Sequence, residues 1–164
     1  MANEYMQMLA DSMVKKAELL TQLIDKTHTQ KEVVSAPEVD WDAFDNIVEE
    51  KGNLIEELAK LDDGFETLYE RIKEELSVNK AAYKTEIAAM QVMIKEVTDK
   101  STELQAMEHR NKSLIEQRFA ESKQAIKQSK MGSKGAHRRF DLHHDVLIAA
   151  GGEGQAHCKS QNYR

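Results

Sequence analysis

The chain has almost nothing with which to build turns or chemistry. Of its 164 residues one is proline, Pro37, one is cysteine, Cys158, and seven are glycine. So little glycine and proline leaves scant material for hairpins or phosphate-binding loops. Neither G-x-x-x-x-G-K-[ST] nor G-x-G-x-x-G occurs, and no C-x-x-C does. A lone cysteine cannot form an intrachain disulfide, which points to a reducing compartment. Aromatics are 5% of residues, and none interleave with basic residues as base-stacking platforms would. No apolar run approaches membrane-spanning length. The opening Met-Ala-Asn-Glu-Tyr-Met has no basic region ahead of an apolar stretch, so no signal peptide and a cytoplasmic location are expected.

What the chain does have is an apolar 3-4 repeat from Met6 almost to Ile126, broken at Pro37. Positions 6, 9, 13, 16, 20, 23, 27, 30 and 34 read Met, Leu, Met, Lys, Leu, Leu, Thr, Gln, Val. After Pro37 the beat resumes with Phe44, Val48, Lys51, Ile55, Leu58, Asp62, Phe65, Tyr69, Ile72 and Leu76, and continues through Tyr83, Ile87, Met90, Ile94, Val97, Leu104, Met107, Ile115 and Phe119. Three-then-four spacing places side chains on one stripe of a helix, and a stripe this long means helices packed on helices at a shallow angle. Charged residues at 32% fit long solvated helices. The fold class is therefore all-α: an elongated antiparallel three-helix bundle or coiled coil with a long last helix.

The boundaries follow from local signals. Helix one is expected over 3–34. Pro37 biases Ala36 away from helical geometry and stops it. Helix two, 41–77, starts from Asp40 as N-cap, with Val39 and Phe44 spaced for a hydrophobic staple. Gly64 after Asp62-Asp63 costs about 1 kcal/mol against alanine, yet the apolar phase holds across it, so a continuous or kinked helix is expected. Helix three is expected over 80–130. Met131 to Ala136 is a small-residue linker, and residues 137–164, with four of the six histidines, form a tail expected to be poorly ordered. The helical domain is thus 1–136. Helices of about 48 Å and about 75 Å, one and three, start level, so helix three should outrun helix one near residue 112. Leu114, Ile115, Phe119 and Ile126 would then lie on an overhang, and a bare apolar stripe in water marks a partner site, a self-partner or a docking place for the tail.

The net charge of -6 is unevenly spread. Residues 1–100 balance to -10 and residues 101–164 to +4, and nine basic residues stand against two acidic ones from Arg110 to Arg139. Three readings stay open for that stretch: a solvated helix end complementing the helix dipole, contact with an acidic protein, or nucleic acid. Chemistry is not expected. His143, His144, His157 and Cys158 have the ligand types for zinc but no zinc spacing. Asp25-x-x-His28 is a single near miss to the paired motif of di-iron bundles. No catalytic residue, cofactor or metal site is assigned.

The stretch Asp40-Trp-Asp-Ala-Phe-Asp-Asn-Ile-Val-Glu-Glu-Lys-Gly-Asn-Leu-Ile-Glu-Glu-Leu-Ala-Lys-Leu-Asp62 resembles the FlgN-type flagellar export chaperones, particularly their clostridial branch. The shared pattern is an Asp-containing start, a central Glu-Lys and a Leu-rich run. Asp63-Gly-Phe-Glu-Thr-Leu-Tyr-Glu-Arg-Ile72, Asn111-Lys-Ser-Leu-Ile115 and Ile126-Lys-Gln-Ser-Lys130 resemble the family too. The likeness spans about residues 1–136 and stops before the tail. It implies a small cytoplasmic chaperone without enzymatic activity. Such a chaperone holds hook-associated (hook–filament junction) subunits and escorts them to the type III export apparatus. It also implies substrate binding toward the C-terminal part, where the stripe continues and the charge turns basic. The expected partner-binding residues are Leu104, Met107, Leu114, Ile115 and Phe119, with Arg110, Arg118 and Lys123 as a charged rim. The partners the resemblance implies are hook-associated proteins and export components; neither nucleic acid nor membrane insertion is expected, and a homodimer is left open. The alternative is a scaffolding homo-oligomeric coiled coil whose overhang pairs with itself.

Overall fold

The computed structural model describes residues 2–129. Three long helices account for nearly all of them: α1 (Ala2–Ser35), α2 (Trp41–Val78) and α3 (Lys84–Ser129). Successive helices run antiparallel. On α1 and α2, Lys16 meets Asp62 at 2.7 Å and Lys26 pairs with Glu50. On α1 and α3, which run parallel, the Asn111 side-chain amide donates to the Thr27 carbonyl at 3.0 Å. Both α2 and α3 pack on α1, while their own backbones stay apart. The central helix is therefore α1, and side chains alone span between α2 and α3.

The first boundary forms as its residues dictate. Asp40 accepts from the amides of Asp42 and Ala43, both at 3.1 Å, so its carboxylate satisfies two donors that the helix cannot. Val39 and Phe44 sit in one apolar cluster, closing the staple. Helix α2 runs unbroken through Gly64. The second boundary differs from expectation. Helix three was expected from residue 80, but 80–83 form a turn and α3 begins at Lys84. Asn79 spends its N–H on the Glu75 carbonyl, ending α2, and its own carbonyl accepts from Ala82 at 3.0 Å. The first bond leading into α3 runs from the Ile87 N–H to the Tyr83 carbonyl, and the Tyr83 hydroxyl donates to Glu75 at 3.1 Å, pinning the corner.

That late start moves the overhang. Residues on α1 and α3 that stand level are about 82–84 apart in sequence, as Asn111 with Thr27 and Arg118 with Ala36 show. The last turn of α1 is thus level with about residue 119, not 112, and about ten residues of α3 run on past it. The expected tail over 137–164 and the side chain of Ile126 lie outside the described residues.

The core has three parts. One cluster joins Met6, Leu9 and Ile72 at the Tyr83 corner. The largest joins Met13, Leu20, Leu23, Ile55, Leu58, Val97, Leu104 and Met107 with others. The third, at the Trp41 end, holds Val34, Phe44, Val48 and Ile115. Tyr69 and Ile94 were read into the stripe, but both are over 40% exposed. In α2 the core-facing positions after Phe65 are Leu68, Ile72 and Leu76.

Candidate partner-binding site

The stretch of α3 from Leu104 to Lys123 carries every residue expected to meet a partner, and the structure sorts the apolar ones into two groups. Leu104, Met107 and Ile115 are buried against α1 and α2. Leu104 and Met107 belong to the main cluster, and Ile115 packs with Val34, Phe44 and Val48. Leu114 and Phe119 are half-buried at the Trp41 end. The Trp41 ring meets Phe119 edge-on at 6.0 Å and Phe44 edge-on at 5.2 Å. Its indole N–H donates to Ser122 Oγ at 2.9 Å, so the first residue of α2 braces α3 just beyond the end of α1.

The three cations of the expected rim also divide. Arg110 and Lys123 are exposed. Arg118 is committed: its guanidinium donates to the carbonyls of Ala36 at 2.7 Å and Pro37 at 2.9 Å, and to Glu121 at 3.0 Å. It thereby satisfies carbonyls just past α1 that have no helical partner, and sets a positive charge at the negative end of that helix dipole. Arg118 holds the α1–α2 connection rather than standing free.

Between the main cluster and the Trp41 end lies a layer of polar side chains that all three helices supply. Thr27 and Gln30 come from α1, Lys51 from α2, Glu108 and Asn111 from α3, and all are 5% exposed or less. The Lys51 ammonium pairs with Glu108 Oε1 and donates to Gln30 Oε1 at 3.2 Å. The Thr27 hydroxyl stands 2.7 Å from the Leu23 carbonyl and 3.1 Å from Glu108 Oε1. Among the described residues no donor reaches Glu108 Oε2. Burial lowers the Lys51 pKa from 10.5, and the attraction of Glu108 only partly opposes it.

Sequence reasoning missed this layer, although the signal was present. Polar residues stand at the stripe positions Thr27, Gln30 and Lys51, and Asn111 stands on the beat between Met107 and Ile115. Three helices interrupted at one level is the mark of a shared buried network. Sequence reasoning also passed over Trp41, which served only as a helix boundary. Asp25 and His28 are exposed. Among the described residues no group of three or more His, Cys, Asp or Glu is placed to hold a metal ion, and no helix is long and apolar enough to cross a membrane. The His143, His144, His157 and Cys158 set lies outside them.

A family model described as FlgN protein matches residues 1–135, which include the whole described bundle. The chain belongs to the FlgN family. It is thereby placed among the chaperones of flagellar export and assembly, and its long packed helices form the bundle that the apolar repeat predicts. No curated protein and no solved structure matches the chain.

Proposed function

We propose that this chain is a cytoplasmic export chaperone without enzymatic activity, which holds a hook-associated subunit and delivers it to the type III export apparatus. Family membership over residues 1–135 carries the reading. The geometry supports a place for it. Leu114 and Phe119 offer partly exposed apolar surface at the Trp41 end of the bundle, alongside the last turns of α1. An amphipathic helix of the subunit lays its apolar face there in the helix-in-groove manner. Arg110 and Lys123, both free of ion pairs among the described residues, attract an acidic flank. Ile115 is buried behind them and Leu104 and Met107 lie deeper, in the main cluster, so reaching any of the three requires α3 to shift.

Titration of the purified chain with hook-associated subunits by calorimetry tests this. The reading expects a one-to-one complex, a negative heat-capacity change from apolar burial, and affinity that weakens with salt. If no hook-associated subunit binds and the free chain sediments as an elongated oligomer, the scaffolding alternative takes its place.

A further inference from the structure

The buried polar layer splits the bundle into unequal parts. On one side lie the ten-residue main cluster and the Tyr83 corner; on the other lies the smaller cluster of Val34, Phe44, Val48 and Ile115, with Ile47 also buried there. Among the described residues, α3 beyond the layer meets that small cluster, Trp41 through Phe119 and Ser122, and the Ala36 and Pro37 carbonyls through Arg118. No α2 backbone supports it there, because α2 and α3 stay apart along their length. The layer itself is a poor cement. A buried ion pair repays its desolvation only when every remaining polar atom is satisfied, and Glu108 Oε2 has no donor among the described residues. Opening the bundle at this plane returns water to Lys51 and Glu108, which offsets part of the apolar surface exposed. Opening anywhere in the main cluster offers no such return.

We infer that the Lys51–Glu108 layer is a release plane. The 112–123 stretch of α3 parts from α1 and α2 and, too short to hold a stable helix in water once unpacked, gives up its helical hydrogen bonds, while the helices on the Tyr83 side of the layer stay packed. The gap bares Val34, Phe44 and Val48 on one wall and Ile115 and Phe119 on the other. Its use as the entry for a subunit helix rests on the function proposed above; the opening itself does not.

Native-state hydrogen exchange on the unaltered chain, with no partner present, tests the plane. Amides over 112–122 exchange at least about tenfold faster than those over 90–107, with a step across Glu108 and Asn111, through an opening that exposes less surface than global unfolding. A smooth gradient running inward from the end of α3, or equal protection on both sides, overturns the proposal. The pair Lys51→Met/Glu108→Leu, which removes both charges from the layer, slows 112–122 by about tenfold and shrinks the step. Gly64→Ala, far from the layer, leaves the step as it is. A step that survives the double substitution also overturns the proposal. If the step behaves as stated and hook-associated subunits still fail to bind, the proposed function falls and the release plane stands.

Discussion

Lys51 is the residue on which the energetics of this bundle turn. It is 1% exposed, paired with Glu108, and surrounded by Thr27, Gln30 and Asn111. Lys51→Met alone leaves the Glu108 carboxylate buried without a counter-charge and costs about 3–5 kcal/mol. Lys51→Met with Glu108→Leu removes both charges, and is neutral or stabilising by about 1–4 kcal/mol; chemical denaturation of the two variants checks the contrast. The same side chain gives a pH signature. Its folded pKa lies below 10.5 because burial disfavours the ammonium. Between that lowered value and 10.5 the unfolded chain holds the extra proton, so stability rises with pH in that window. Below the window the full cost of the buried charge is present. Relative to the double variant, wild type therefore gains stability as pH climbs toward 10.5. A difference that stays flat, or moves the other way, contradicts the burial of a charged Lys51. The position was legible as a stripe residue but not as an ion pair. The repeat marks which face Lys51 occupies, and nothing in a one-dimensional pattern says that Glu108, one residue past Met107, turns inward to meet it.

Among the elements, α2 is the clearest case of pattern overriding propensity. Asp62, Asp63 and Gly64 are poor helix formers, yet the helix crosses them without a break because apolar positions on both sides keep one phase. An added Cβ at Gly64 meets nothing within 4 Å. Gly64→Ala thus stabilises by about 1 kcal/mol, through the lower chain entropy of the unfolded state, and raises the thermal midpoint. A drop would mean that the helix needs glycine's freedom there. The Asp40 boundary was readable because capping is local chemistry among neighbours. The start of α3 was not, because it depends on Asn79 and Tyr83 both turning back to Glu75. Four residues of error there, with α1 running slightly longer than expected, moved the overhang from 112 to about 119 and left Ile115 inside the core. Tyr69 and Ile94 were misplaced singly, since the next stripe positions, Ile72 and Val97, are buried, and beside Tyr69 it is Leu68 that turns inward.

For the whole molecule, the fold class, helix count and antiparallel order were legible from the repeat and the single proline. The candidate site was legible as a segment and not as a surface. The run from Leu104 to Phe119 was marked by stripe, charge and family likeness, but which of its residues face water depends on where α1 ends and where Trp41 lands. Leu114, Phe119 and Trp41 are the partly exposed members, so they carry first contact with a partner, and Ile115 is better tested for stability than for binding. The most direct measurement is calorimetric titration of a hook-associated subunit into Leu114→Ala/Phe119→Ala, beside the unaltered chain, with circular dichroism to verify folding. The account predicts a loss of about 2 kcal/mol or more, roughly 30-fold in affinity, since partly exposed aromatic anchors dominate such contacts. Unchanged affinity in a folded variant would contradict a partner site at this end of α3.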